Sequence, residues 1–129
     1  MSKEATPIRL SETEGDTSWL PYSIVRRDDH IVVRGGLFNY LSGPLLSADT
    51  DQSVFMPTYG HEAISVTRVQ HNMFQIGECG VVRMEEDACY FVRQDRKFVF
   101  RAAIPSPDKR DEIFTGMVHF GAAMASNGS

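Results

Sequence analysis

The sequence predicts an α+β fold that is mainly antiparallel β, with a small bent sheet or β-barrel of about six strands followed by a C-terminal amphipathic helix. Apolar and polar residues alternate through most of the chain, as in half-buried strands, and a helical period appears only after Ser106. Turn residues separate the predicted strands at short intervals. This favours antiparallel hairpins, because parallel strands would need helical crossovers.

Length and composition indicate one globular domain. The chain has 129 residues, of which 42% are hydrophobic and 23% are charged, and both values are ordinary for a single domain. Its net charge of −4 argues against nonspecific nucleic-acid binding, which requires a basic surface. The chain has two cysteines and no apolar run typical of a signal peptide or a membrane span. These features predict a cytoplasmic protein without membrane association.

The first 18 residues differ from the rest of the chain. They are polar, contain Pro7 and Gly15, carry several carboxylates and show no sustained period. We therefore expect residues 1–18 to form a flexible acidic tail. Residues 19–125 are expected to form a single β-rich domain that includes a helix at 107–124.

A first hairpin is predicted in Tyr22–Arg34. Two β-branched runs flank Asp28 and Asp29, which are residues that tolerate turn geometry. A two-residue turn at these aspartates would place Val25 opposite Val32. Both faces of this strand pair would then be partly apolar, as expected inside a barrel or sandwich.

The middle of the chain is less regular. Leu37–Leu41 fits either one helical turn or a short strand, and Gly43 with Pro44 ends it. Short strands bounded by turn residues follow, and they are predicted at Val54–Met56, Glu62–Gln70, Met73–Gly77 and Val81–Met84.

A second hairpin is predicted in Ala88–Ile104, with a loop near Gln94. Its register pairs Phe91 with Phe100 and places Tyr90 opposite Arg101. Alternation then assigns one face to the core. That predicted core face consists of Cys89, Phe91, Phe98, Phe100 and Ala102.

The C-terminal helix has a clear start signal, because Ser106 is a good N-cap and Pro107 suits the first helical position. Apolar residues recur at helical spacing and form one stripe. The stripe consists of Ile113, Phe114, Met117, Phe120 and Met124. Its C-terminal part is rich in methionine, which adapts to partners, and is therefore suited to a homodimer contact.

The order of a barrel, a last strand, a Ser106-Pro107-Asp108 turn and a final helix resembles the layout of PilZ-type cyclic-dinucleotide receptors. The signature of that family pairs Arg-x-x-x-Arg with Asp-x-Ser-x-x-Gly, and both elements are absent here. Arg27, for example, is followed four residues later by Ile31. The resemblance therefore implies a layout and no cyclic-dinucleotide site.

The spacing of the candidate ligand residues matches no known metal or cofactor motif. His61, His71, Cys79 and Cys89 offer four zinc-type ligands, but they match none of the short paired patterns of zinc sites. The chain also lacks a calcium loop with its turn glycine and a phosphate-binding glycine loop. We therefore predict no metal and no cofactor.

The ten arginines outnumber the three lysines. One interpretation is a surface that recognises an anionic group, because the arginine side chain presents a planar donor fork to carboxylate or phosphate. The other is the codon usage of a GC-rich genome. Arginines flank both hairpins, and an arginine-lined patch would form if the hairpins were adjacent. The candidate ligand-binding residues are Arg26, Arg27, Arg34, Tyr90, Arg93 and Arg101.

Two functions remain open at the level of sequence. The favoured one is a non-catalytic binding module, either a sensor of a small anionic ligand or a protein-interaction adaptor, that uses the arginine-lined surface. The alternative is a small barrel-type enzyme whose acid–base pocket combines residues from distant strands. Its candidate catalytic residues are His61, His71, Glu62 and Tyr59.

Overall fold

The computed structural model describes residues 5–11, 18–35, 40–57, 62–94 and 99–127. These residues form ten strands, then a 3-10 turn and one helix. The strands are β1 (Thr6–Ser11), β2 (Ser18–Arg27), β3 (His30–Gly35), β4 (Tyr40–Pro44), β5 (Gln52–Phe55), β6 (Ile64–Gln70), β7 (Met73–Ile76), β8 (Gly80–Met84), β9 (Ala88–Arg93) and β10 (Val99–Ala103). The 3-10 turn is Pro107–Lys109, and the helix α1 is Arg110–Asn127.

All ten strands belong to one antiparallel sheet with the order β4-β3-β2-β1-β10-β9-β8-β7-β6-β5. Two consecutive meanders, β1 to β4 and β5 to β10, are joined because β1 pairs with β10. The sheet curls into a nearly closed barrel whose two edge strands are β4 and β5. The expectation of an antiparallel barrel with a C-terminal helix is confirmed, whereas the expected number of about six strands was too low.

The two predicted hairpin registers are confirmed. Val25 pairs with Val32 across β2 and β3, and Asp28 adopts a positive φ of 58° in the turn. Phe91 pairs with Phe100 across β9 and β10. The predicted core face of the second hairpin is buried at every described position, and Phe98 lies outside the described residues.

The N-terminal segment corrects the sequence prediction. Where a flexible tail was expected, residues 6–11 form β1, which lies between β2 and β10 in the sheet. The Ile8 side chain is fully buried in the core. The strand is short, its outward positions are Pro7, Arg9 and Ser11, and its partner β10 lies about ninety residues away in sequence. Local periodicity therefore gives little sign of it.

The helix is enclosed by the barrel instead of covering it with one face. Residues 112–123 are all buried, and α1 contacts β2, β3, β4, β7, β8, β9 and β10. A helix with buried side chains on every side is a core element and not an amphipathic one. Met117 and Phe120 are fully buried, so the predicted homodimer contact through these side chains is wrong.

Two glycines allow this close enclosure. A Cβ at Gly116 would lie 2.5 Å from Cγ2 of Ile24, and a Cβ at Gly121 would lie 2.5 Å from Cε1 of Phe91. Real Cβ atoms do not approach other atoms so closely. The glycines cost helix propensity but let the sheet approach the helix backbone.

The seam between β4 and β5 is held from inside by the helix. In the connecting loop, the backbone N–H of Leu46 donates to Oγ1 of Thr115 at 2.8 Å, and that of Ala48 donates to Oδ1 of Asp111 at 3.0 Å. On the other side, Arg68 donates to the backbone oxygen of Ala48 at 3.2 Å. The loop is therefore fixed to both the helix and β6.

His119 lies in the same seam and is fully buried. Its ring packs edge-on against Phe55 with centroids 4.8 Å apart, and Nε2 lies 3.4 Å from the backbone oxygen of Pro44. A Cβ at Gly43 would overlap the imidazole ring. Burial lowers the pKa of His119 to about 4, with a further contribution from the charge of His30 and opposition from the Pro44 hydrogen bond. The imidazole is therefore neutral near pH 7.

The position of Ile8 in the core gives a direct test of β1. The substitution Ile8→Ala is expected to lower the free energy of unfolding by about 2–4 kcal/mol, because it leaves a cavity beneath the sheet. Arg9→Ala, one position along the same strand but pointing outward, is expected to cost no more than about 1 kcal/mol. Urea denaturation measures both values. Equal and negligible effects of the two substitutions would show that residues 6–11 are not a core strand.

His119 makes stability depend on pH with a defined sign. Its folded-state pKa of about 4 lies below the ordinary histidine value of 6.5, so the unfolded chain binds a proton that the folded chain excludes. This contribution to stability is complete above pH 6.5 and is lost as the pH falls towards 4, by about 3 kcal/mol in total. Chemical denaturation between pH 4 and pH 7 measures the loss.

Two variants isolate this contribution. His119→Gln removes the buried imidazole and is expected to flatten the pH dependence relative to the unsubstituted protein. His30→Gln removes only the smaller contribution of the His30 charge and is expected to leave most of the dependence in place, because burial is the main cause of the low pKa. If His119→Gln loses stability in parallel with the unsubstituted protein across this range, the assignment is wrong.

Candidate functional site

The outer face of the barrel carries a row of arginine and aromatic side chains across five neighbouring strands. Register pairs connect its members one by one: Trp19 with Arg9, Arg9 with Arg101, Arg101 with Tyr90, and Tyr90 with Arg83. We call these five residues the arginine–aromatic row. It spans roughly 20 Å, because adjacent strands lie about 4.8 Å apart.

Cation–π contacts hold the guanidinium groups of the row against its rings. The guanidinium carbon of Arg9 lies 3.9 Å from the centroid of the Trp19 ring. Those of Arg83 and Arg101 lie 4.4 Å and 5.9 Å from the Tyr90 ring. Arg101 Nε also donates a long hydrogen bond, 3.4 Å, to the Tyr90 hydroxyl. These contacts limit the orientations available to side chains that are otherwise flexible.

Two like charges face each other at the centre of the row. Arg9 on β1 and Arg101 on β10 are direct register partners, so their Cβ atoms are expected to lie about 5 Å apart. Among the described residues, no carboxylate forms an ion pair with either one. Arg83, by contrast, pairs with Glu85 at 3.2 Å. Like charges opposite each other on adjacent strands are destabilising, and a bound anion would remove the repulsion.

An apolar row runs beside the arginine–aromatic row, two residues along each strand. It consists of the register partners Val81, Val92 and Val99 on β8, β9 and β10, which we call the valine row. Each of these side chains is half-buried on the outer face. At one end of the row there is a shallow groove of about 290 Å³. Its lining residues are Met73, Val81, Arg83, Val92, Arg93 and Gln94.

The structure brings together one part of the predicted ligand-binding set. Tyr90 and Arg101 are in contact, as their predicted pairing required. Arg93 lies on the same strand as Tyr90 and lines the groove with Arg83.

The other three predicted residues lie apart from this surface. The two hairpins are not adjacent, because β1 separates β2 from β10. Arg26 and Arg27 are exposed at the turn end of β2, where Arg26 Nε donates to the backbone oxygen of Asp28 at 2.7 Å. Arg34 lies on β3, four strand positions from β9. The single patch expected from adjacent hairpins is therefore not formed.

Three members of the row were missed from the sequence. Arg9 was assigned to the predicted tail, and Trp19 stands at the start of β2, so neither is recognisable without the pairing of β1. Arg83 could have been found, because Val81–Met84 was predicted as a strand and alternation places Arg83 opposite the buried Val82 and Met84.

The acid–base pocket of the alternative prediction does not assemble from its described members. Glu62 precedes β6 and His71 follows it, and both are exposed. The six residue steps within β6 separate them by roughly 20 Å. Tyr59 and His61 lie outside the described residues.

The cysteines have the chemistry of core residues. Burial raises the pKa of both the Cys79 and the Cys89 thiols, and Cys89 is completely buried. A raised pKa disfavours the thiolate that nucleophilic catalysis requires. In the described part of the chain, no group of three or more His, Cys, Asp or Glu side chains is placed to hold a metal ion.

Comparisons with known proteins add no relationship. No family model, no curated protein sequence and no solved structure matches this chain. Among the described residues, no helix combines the length and apolar character needed to cross a membrane.

Proposed function

We propose that this protein is a non-catalytic binding module that holds a small anion, a phosphate or a carboxylate, on the arginine–aromatic row. The observation that carries the proposal is the direct pairing of Arg9 with Arg101 on neighbouring strands, with no carboxylate partner among the described residues. Guanidinium groups on two neighbouring strands can together donate hydrogen bonds to the oxygen atoms of one phosphate or carboxylate group.

The side chains of Arg9 and Arg101 are already held by aromatic neighbours before an anion binds. Arg9 is stacked on Trp19, and Arg101 is held by Tyr90, so neither side chain needs to be immobilised completely when an anion binds. Immobilising a flexible side chain costs about 0.5–1.5 kcal/mol, and contacts made before binding reduce that cost. Both arginines are half-buried, which strengthens their interaction with an anion relative to fully solvated charges.

The small-anion function fits the geometry better than the enzyme alternative. An anion-binding module needs cationic donors close together, and Arg9 and Arg101 are register partners on neighbouring strands. An acid–base enzyme needs at least two proton-transfer groups within reach of one substrate, and the described candidates Glu62 and His71 lie at opposite ends of β6.

Arg101→Gln and Arg9→Gln are each expected to weaken the binding of inorganic phosphate or pyrophosphate by tenfold or more. A charge-assisted hydrogen bond contributes about 1.5–3 kcal/mol, and about 1.4 kcal/mol corresponds to tenfold in affinity. Isothermal titration calorimetry measures the affinity, and the anion-induced rise in the thermal unfolding midpoint provides a second readout.

Arg27→Gln is the matched control, because Arg27 is an exposed arginine on β2 outside the row. It removes the same net charge and is expected to leave anion affinity within about twofold. The proposal fails if the unsubstituted protein shows no anion binding, or if Arg27→Gln weakens binding as much as Arg101→Gln does.

A further inference from the structure

On the outer face of the barrel, the valine row lies parallel to the arginine–aromatic row. Because alternate residues of a strand point to the same side, Val92 lies beside Tyr90 on β9, and Val99 lies beside Arg101 on β10. The valine row therefore follows the arginine–aromatic row at a distance of roughly 7 Å, two residue steps along each strand. A ligand lying on one row would touch the other.

The groove gives this apolar surface a concave shape. Met73, Val81 and Val92 supply apolar walls, and the guanidinium-bearing side chains of Arg83 and Arg93 stand at its margin. None of these three apolar side chains is among those that pack against the barrel core, so their contact surface faces outward. A volume of about 290 Å³ equals roughly ten water molecules at ~30 Å³ each. A ligand of about ten non-hydrogen atoms would fill it.

We infer that the anion bound at the row belongs to a small amphipathic carboxylic acid, whose apolar body lies on the valine row and in the groove. This inference rests on the proposed function and specifies its ligand class. The carboxylate meets the guanidinium groups of Arg9 and Arg101, the register partners of the proposed site, and Val99 lies two residues from Arg101 on β10. The apolar chain crosses β8 to β10, a distance of roughly 10 Å over two strand spacings.

Charge and shape together favour this occupant. Arg101 borders the apolar surface two residues from Val99, and Arg83 and Arg93 line the groove, where Arg83 also pairs with Glu85 at 3.2 Å. A neutral apolar molecule would leave the cationic margin unused. A bare inorganic anion would leave the valine row and the groove in water.

The probe is sodium octanoate, whose anion has ten non-hydrogen atoms. Sodium acetate keeps the carboxylate without the long chain, and 1-octanol keeps the chain without the charge. Octanoate is expected to bind at least tenfold more tightly than acetate. Each fully buried methylene contributes roughly fourfold in affinity, and six methylenes are added to a half-open surface. Binding is measured by calorimetry below the concentration at which octanoate forms micelles.

Val92→Thr tests the apolar row, because threonine keeps the β-branched shape and adds a hydroxyl group. It is expected to reduce octanoate affinity three- to tenfold and to leave phosphate and acetate binding unchanged. Val54→Thr is the matched control, since Val54 is an exposed outer-face valine on β5, away from both rows. It is expected to change neither affinity.

The outcomes separate this inference from the proposed function. If octanoate and acetate bind equally, or if 1-octanol binds as tightly as octanoate, the amphipathic ligand is wrong while anion binding stands. If no anion binds at all, the proposed function and this inference both fail. If sedimentation velocity shows a dimer that octanoate dissociates and Val92→Thr prevents, a second copy of the chain is the occupant and the inference is overturned.

Discussion

The enclosure of α1 by the barrel fills the interior with side chains and leaves the outer face of the sheet exposed to solvent. The helix contacts seven strands, and its residues 112–123 are buried on every side. Small barrels hold a ligand in the lumen only where side chains leave room. Here the lumen contains a helix, with Phe120 packed edge-on against both Tyr22 and Phe100. The proposed anion site accordingly lies on the outer face of the sheet.

Strand register links the core to that outer surface. Phe91 and Phe100 pair inward while Tyr90 and Arg101 pair outward on the same two strands. A one-residue slip would move the arginines into the core and the phenylalanines into water, at a cost of several kcal/mol for each buried charge. The packing around α1 therefore fixes the arginine–aromatic row as firmly as it fixes the core.

Local chemistry made part of this structure predictable from the sequence. The two hairpins could be aligned because Asp28 and Asp29 specify a turn, and because a polar loop near Gln94 places Phe91 opposite Phe100. Their registers contain Tyr90 and Arg101. Arg101, one of the two arginines of the proposed anion site, could therefore be identified from the sequence. These features depend on residues that lie near one another along the chain.

The missed features depend on contacts between distant segments. β1 lies between β2 and β10, and local sequence cannot show its pairing with β10. The burial of α1 on all sides depends on its contacts with seven strands from distant parts of the chain. Gly116 and Gly121 have a role only because Ile24 and Phe91 approach the helix backbone there. From the sequence, the same glycines indicate only a weak helix.

Arg9 and Arg101 lie where the two halves of the sheet are joined. The β1–β10 pairing is the point at which the two meanders are hydrogen-bonded to each other, and Arg9 and Arg101 face each other across it. Their repulsion opposes that pairing, whereas an anion held by both side chains would reinforce it. A ligand that binds only the folded state stabilises it, and the gain grows with the logarithm of the ratio of the free ligand concentration to the dissociation constant. Binding at this position would therefore strengthen the junction that closes the barrel around its helix.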